Sequence, residues 1–270
     1  MSEMCQFGLL GHPLGHSFSR EFHNRRFAEL KVNARYDNYD LDDIAAFPDL
    51  LREHPDLSGL NVTIPYKQQV MAYLDELDPL AARIGAVNVV KIKRLTDGAE
   101  ARDTKVPGFY LKGFNSDIVG FCDSVRPMLV AAGLYAAQAD AESRKALVLG
   151  TGGASKAVYD GLKDLGFEPV WVSRTPASGR LTYGDLTPEV MASHRVIVNC
   201  TPLGMFPNVD TCPDLPYALL TPSHVCFDCV YNPAETLFMK KAAERGAAVK
   251  CGYDMLVGQA IESYRIWTGI

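Results

Sequence analysis

The stretch Ala146-Leu147-Val148-Leu149-Gly150-Thr151-Gly152-Gly153-Ala154-Ser155-Lys156 runs four apolar residues into a glycine cluster and then into a helical pattern. That order reads as a strand, a tight turn and a helix start, the arrangement that holds a dinucleotide pyrophosphate. Gly150 permits the turn and Gly152 lets backbone approach the phosphates. The helix opening at Gly153 and Ala154 offers free N–H groups and the positive end of its dipole. The fingerprint asks for Gly-x-Gly-x-x-Gly or Ala, and its sixth position here is Ser155, small enough for close helix–strand packing. An ordinary strand–helix turn can also be glycine-rich, so the surroundings decide. Ala154, Ala157, Val158, Leu162 and Leu165 recur at helical spacing, Gly166 ends that helix, and residues 168–172 read as a second strand. The loop lies past the middle of the 270 residues, so a domain-sized segment precedes it and is expected to carry the substrate.

Further strands are expected at 195–200, 225–230 and 247–250, with a closing amphipathic helix over 254–267. Ahead of the loop, strands are expected at 6–10, 36–41 and 59–63, and a strand pair at 87–93 and 109–114 flanks the polar loop 96–108. Helices are expected at 19–30 (capped by Ser17 or Ser19), 44–53, 80–84 and 118–132, with a further one opening at Pro65 and running through residue 74. Gly85 stops the helix at 80–84, and 133–144 reads as a linker. Strand–helix alternation in both halves predicts two α/β domains, the later one Rossmann-type.

Hydrophobic residues at 47% and charged residues at 22% are those of a globular protein, and a net charge of −5 offers no broad attraction for nucleic acid or an anionic membrane. Phe7 to Leu10 is too short an apolar run for a leader, and no stretch approaches the ~20 residues of a membrane span, so a cytoplasmic protein is expected. Seven cysteines, an odd number scattered along the chain, suggest reduced thiols. Cys226 and Cys229 fit Cys-x-x-Cys, but residues three apart on a strand face opposite sides, and no second pair completes a zinc site. His12 and His16 sit among Gly11, Pro13 and Gly15, which preclude a ligand-aligning helix. No metal site is expected.

The end of the second Rossmann strand distinguishes the nicotinamide cofactors. An NAD site places Asp or Glu about 20 residues past the glycines, for the ribose 2′-hydroxyl. Here the chain reads Ser173-Arg174-Thr175, a cation between two hydroxyls, which suits a 2′-phosphate. NADP(H) is therefore expected over NAD(H).

In the first half, Asn61-Val62-Thr63-Ile64-Pro65-Tyr66-Lys67 is the densest candidate. With Pro65 opening a helix, Lys67 falls in its first turn, where the macrodipole opposes a cation and favours proton transfer. A lysine tolerated on a surface explains the same placement. Asp117 follows Asn115-Ser116 at a helix start, where a carboxylate is also a routine cap. Asn88 stands in an apolar strand and Gln259 among Met255, Leu256, Val257 and Ala260; each buried amide needs a partner, whether ligand or backbone.

Taken in order, Ser17-Phe18-Ser19, Asn61 to Lys67, Gly85-Ala86-Val87-Asn88, Asn115-Ser116-Asp117, Gly150 to Ser155, Ser173-Arg174-Thr175, Tyr231-Asn232-Pro233 and Gly252 to Gln259 form a series. That series resembles the shikimate dehydrogenase family over nearly the whole chain. The resemblance implies reduction of the ketone of 3-dehydroshikimate to shikimate with NADPH, a step of aromatic amino-acid and chorismate biosynthesis. It implies Lys67 and Asp117 as the catalytic pair, the lysine handling the proton on the reacting oxygen and Asp117 holding it and a substrate hydroxyl. It also implies Ser17, Ser19, Thr63, Asn88, Asp117, Tyr231 and Gln259 as substrate ligands, in keeping with a small polyhydroxy acid. Gly150, Gly152, Gly153, Ala154, Ser173, Arg174, Thr175 and Gly252 would serve the cofactor.

The implied domains are residues 1–116 with 252–270 for substrate and 117–251 for NADP(H), the closing helix returning to the first domain and a cleft lying between them. A monomer or homodimer with no macromolecular partner is expected. Asn115-Ser116-Asp117 stands where the family's usual triplet is Asn-Thr-Asp, and Ser173 stands where its phosphate segment begins with Asn, with Arg180 the next arginine. Two readings stay beside the main one: a quinate/shikimate dehydrogenase with relaxed NAD/NADP use, and a non-catalytic nucleotide or metabolite sensor on the same fold.

Overall fold

The computed structural model describes residues 4–15, 18–95, 103–135 and 144–269. Ser17 and most of the 96–108 loop fall outside them, as do residues 136–143 of the expected linker. The chain divides into two compact units, Met1–Ser116 with Ala260–Ile270, and Asp117–Gln259.

The first unit runs β1 (Cys5–Gly11), α1 (Phe18–Glu29), β2 (Ala34–Asp40), α2 (Phe47–Glu53), β3 (Leu57–Val62), β4 (Glu76–Leu77), α3 (Pro79–Ile84), β5 (Val89–Arg94) and β6 (Phe109–Phe114). Its sheet has the order β2-β1-β3-β5-β6-β4. The β1–β2 and β1–β3 pairs are parallel, while β3–β5 and β5–β6 are antiparallel. One face is closed by Phe47, Leu50 and Leu51 of α2 over Leu60, Val62 and Val90. The other face packs Phe27 of α1 and Trp267 of the C-terminal helix over Phe7, Tyr36 and Val89. Trp267 stacks on Phe7 at 4.7 Å, and its indole N–H donates to the Val90 carbonyl at 3.1 Å. The end of the chain is thereby built into the first unit.

The second unit runs α4 (Asp117–Ala131), β7 (Lys145–Leu149), α5 (Gly153–Asp164), β8 (Glu168–Ser173), β9 (Arg180–Thr182), α6 (Pro188–Ser193), β10 (Val196–Asn199), β11 (Val225–Asp228), α7 (Leu237–Ala243), β12 (Ala248–Cys251) and most of the first two turns of α8 (Tyr253–Thr268). All its strands are parallel, in the order β12-β11-β10-β7-β8-β9. That is the doubly wound dinucleotide-binding order, reversing direction between β7 and β10. Burial on both faces explains the unbroken apolar run of β7. Ala146 and Val148 pack with Phe121, Val158 and Leu162 of α4 and α5, whereas Leu147 and Leu149 pack with Met191, Phe238 and Met239 of α6 and α7.

Two local expectations change. Residues 65–74 form turns and a short 3₁₀ stretch, Gln69–Tyr73, rather than a helix opening at Pro65. The carbonyl of Lys67, which an α-helix would need for residue 71, accepts the Val87 N–H at 2.7 Å, and Tyr66 N–H closes a turn onto Thr63. Lys67 therefore does not stand in a helical first turn, and the macrodipole argument for it falls. The first helix begins at Phe18, so Ser19 lies inside its first turn and is not its cap. Among the described residues no helix is long and apolar enough to cross a membrane.

Candidate active site

In the first unit the polar candidates collect where β3, β5 and β6 meet. Thr63 leaves β3 with its N–H on the Leu10 carbonyl. Lys67, half-buried, follows in the turns pinned by Val87. Asn88 lies just ahead of β5 and is fully enclosed. Its backbone bridges the neighbouring strands, accepting from Val62 N–H at 2.9 Å and donating to Phe114 O at 3.1 Å. Its amide has the partner that a buried amide needs: Oδ1 accepts from Ser116 N–H at 2.7 Å, and Nδ2 donates to Ser116 Oγ at 3.0 Å. Asn115 Nδ2 donates to Ala86 O at 2.9 Å, tying the same two segments together.

Behind these groups runs a buried chain of neutral donors and acceptors that the sequence pattern does not reveal. Ser19 bonds to the Tyr36 hydroxyl, whose phenol burial pushes well above its ordinary range. Tyr36 donates to Asn61 Oδ1 at 2.8 Å, and Asn61 Nδ2 donates to Ser263 Oγ at 2.8 Å and to Asn88 O at 3.2 Å. Ser263 in turn meets Ser116 Oγ at 3.2 Å. Ser19 and Asn88 are thus ends of one network. The only sequence signal was a set of polar residues at otherwise apolar positions.

Asp117 is the first residue of α4 and is buried, with 5% of its surface exposed. One turn further along, α4 meets α8 at Gly120, where a side chain would come within 2.4 Å of Met255 O and 2.9 Å of Gln259 N. Gln259, half-buried on α8, is fixed by this close crossing. Tyr231 follows β11 and is 38% exposed.

The glycine turn follows β7. Gly150 has φ +97°, a conformation side chains disfavour, and its N–H donates to Val172 O at 2.9 Å. Gly152 precedes α5 without any side-chain cap, and a side chain built on it would meet nothing within 4 Å. The first turn of α5, with Gly153 and Ala154, therefore presents N–H groups that no protein side chain covers at the cap. Ser155, the departure from the fingerprint, is fully buried, and its hydroxyl donates back to Gly152 O at 2.7 Å. Its polarity is satisfied within the turn it helps to close.

At the end of β8, Ser173 Oγ accepts from Thr175 N–H at 3.2 Å, holding a tight turn that leaves Arg174 exposed. No carboxylate occupies Ser173, Arg174 or Thr175, so these residues fit a 2′-phosphate. Arg180 pairs with Trp171 across β8–β9 and sets its guanidinium over that indole, 6.0 Å from the ring centroid. Gly252 packs on the end of β11, where a Cβ would stand 2.4 Å from Cys229 O; close backbone packing is what requires glycine there.

All seven cysteines are free thiols. Cys226 faces the α6–α7 side of the sheet and Cys229 the other, as a strand demands. His12 Nδ1 bonds to Asp40 at 2.7 Å on the surface of the first unit.

These features define a two-domain α/β protein: one domain has dinucleotide-binding topology, and the other gathers hydroxyls, amides and a lysine where β3, β5 and β6 meet. A model of the shikimate dehydrogenase substrate binding domain matches residues 9–90, and one of the shikimate 5′-dehydrogenase C-terminal domain matches residues 252–270. The shikimate dehydrogenase (NADP(+)) of Desulforamulus reducens is 32% identical, covering 99% of this chain and 90% of that one. The chain belongs to the shikimate dehydrogenase family. Among solved structures it is similar to shikimate 5-dehydrogenase from Thermus thermophilus in complex with NADP(H) and shikimate. That match has a TM-score of 0.78 and 32% identity over 99% of this chain and 94% of the other. It is also similar to quinate dehydrogenase from Corynebacterium glutamicum in complex with NAD, with a TM-score of 0.79 and 25% identity over 99% and 94%.

Proposed function

We propose that this protein is an NADP(H)-dependent oxidoreductase that interconverts 3-dehydroshikimate and shikimate. The observation that carries the reading is the first unit's polar pole, where Ser19 and Asn88 are held by one hydrogen-bond framework, with Thr63 and Lys67 on the segment that follows β3. A small polyhydroxy acid offers complementary groups, and each buried donor or acceptor penalises an analogue lacking its partner. Ser17, Tyr231 and Gln259 complete the set of substrate ligands in this reading.

The residues of the second unit fit the cofactor. Gly150 and Gly152 open the turn to a pyrophosphate, the first turn of α5 with Gly153 and Ala154 supplies N–H donors, and Ser173, Arg174 and Thr175 receive the 2′-phosphate. NADP(H), when bound, supplies or accepts the hydride. Lys67 gives a proton to the oxygen of the ketone in the reducing direction and recovers it from the hydroxyl in the oxidising one. Asp117 accepts a hydrogen bond from a substrate hydroxyl. In this assignment residues 1–116 and the end of the closing helix form the substrate domain, and the second unit forms the cofactor domain.

Replacing Lys67 with Ala tests the assignment. Turnover of shikimate with NADP+, followed by the absorbance of the reduced nicotinamide, should fall by at least about 100-fold, the ordinary worth of a positioned proton donor. Binding of NADP+ should be unchanged. Near-normal turnover would remove Lys67 from the chemistry.

A second reading, quinate as an alternative substrate with relaxed use of NAD, is favoured by one observation. Arg174 and Arg180 are both exposed, but the Arg180 guanidinium lies over the Trp171 ring, so Arg174 alone of the two is offered without a ring partner to a 2′-phosphate. Comparing shikimate and quinate, each against NADP+ and NAD+, separates the two readings.

A further inference from the structure

Asp228, at the C-terminal end of β11, is fully buried and has no part in the chemistry above. Its carboxylate receives three donors. Oδ1 accepts from Asn199 Nδ2 at 2.9 Å and from Val230 N–H at 3.0 Å, and Oδ2 accepts from Thr236 Oγ1 at 2.6 Å. An acceptor-only group in this place decides the orientation of its neighbour. Asn199 must turn its NH₂ toward Asp228 and its carbonyl away. That carbonyl then accepts from Thr201 twice, from N–H at 3.0 Å and from Oγ1 at 2.7 Å.

Thr201 is the wall of the glycine turn: its Cγ2 is the atom nearest to where a side chain on Gly150 would begin, at 3.1 Å. Asn199 and Asp228 lie opposite one another in the β10–β11 register, and Cys200 N–H donates to Leu149 O at 2.9 Å. The relay therefore runs along the sheet's C-terminal edge, at the point where the strand order reverses.

We propose that Asp228 is a positioning residue for cofactor binding, acting through Asn199 to fix Thr201 against the turn at Gly150. The proposal rests on reading the second unit as the NADP(H)-binding unit. A carboxylate takes all three donors at once, whereas a side chain with no acceptor at 228 would leave the Asn199 amide free to turn. Burying the charge is expensive, and burial pushes the carboxyl up to about 6 despite the three donors. Such a group is retained for the geometry it imposes.

The contrast between two arms of the hub supplies the test. Asp228→Ala, which removes the acceptor, and Asn199→Ala both release Thr201. Thr236→Val removes a donor to the same carboxylate and the cap of α7, where Thr236 Oγ1 accepts Met239 N–H at 3.3 Å, but leaves the Asn199–Thr201 arm in place. Titration of each folded variant with NADP+ should show a Kd raised about 10-fold or more for Asp228→Ala and Asn199→Ala, and within about twofold of wild type for Thr236→Val. The KM for shikimate at saturating NADP+ should move in none of them. If Asp228→Ala does not fold, Asn199→Ala alone decides.

Unchanged Kd in both releasing variants overturns the proposal, as does an equal rise in Thr236→Val, which would mark a general loss of packing. A wild-type protein that binds no NADP+ overturns the cofactor reading itself, and the positioning role with it.

Discussion

The two units bury polarity in opposite ways. Each has a six-stranded sheet, yet the first encloses only neutral groups behind its candidate ligands, from Tyr36 through Asn61 and Ser263 to Ser116 and Asn88. The second encloses the carboxylate of Asp228 at the edge of its glycine turn. Neutral hydroxyls and amides both donate and accept, so they can hold a framework that presents either sense to a polyhydroxy ligand. A carboxylate only accepts, and so imposes one orientation on everything around it. The first unit is arranged for matching a ligand and the second for rigidity around a turn.

One buried group in each unit responds to acid, and the two respond with opposite sign. His23 is fully buried in an aromatic cage, stacked on Tyr36 at 4.6 Å, with neither ring nitrogen hydrogen-bonded. Burial, aided by the nearby Arg26 charge, brings it down to about 3. The unfolded chain therefore binds a proton below about 6.5 that the folded state refuses, and stability is lost as pH falls from 6.5 toward 3. Urea denaturation of wild type and His23→Phe should diverge by about 3 kcal/mol between about pH 7 and pH 4.5, wild type losing the more. Parallel curves would mean that the ring is protonated without cost.

Asp228 has the reverse sign. Its folded value of about 6 lies above the ordinary 3.8, so its contribution is fully present below 3.8 and is lost as pH rises through about 6. Relative to Asp228→Asn, wild type should gain about 2 kcal/mol on going from about pH 7 to pH 4.5. Cys229 and Tyr217 also lie close to Asp228 but stay neutral there, since burial and hydrogen bonding raise both.

A smaller effect isolates the cofactor unit. Arg174→Ala should raise the KM for NADP+ about 10-fold or more, the worth of one charge-assisted phosphate contact, and leave the KM for NAD+ nearly unchanged. Equal effects on both would assign Arg174 a structural role.

How much of this the sequence foretold depends on how far each partner lies along the chain. The glycine turn, the strands around it and the acid-free end of β8 were readable because strand, turn and helix are contiguous there. Asn88 was recognisable as an amide in need of a partner, but that partner is Ser116, 28 residues on. The setting of Lys67 was misread for the same reason: periodicity over 65–74 suits a helix, and only the distant Val87 N–H shows where its carbonyl goes. Asn199 and Asp228 fall inside the strands expected at 195–200 and 225–230, and nothing local marks them as a pair. Their pairing is a fact of sheet register, which no local pattern contains.

The central claim is that the first unit's framework selects shikimate while the second unit's turn and Arg174 select NADP(H). The rate of nicotinamide reduction by purified protein, with shikimate and either NADP+ or NAD+, tests it most directly. Rapid reduction of NADP+ that depends on shikimate is the expected result, with kcat/KM at least about 10-fold lower for NAD+. No shikimate-dependent reduction of either cofactor would contradict it.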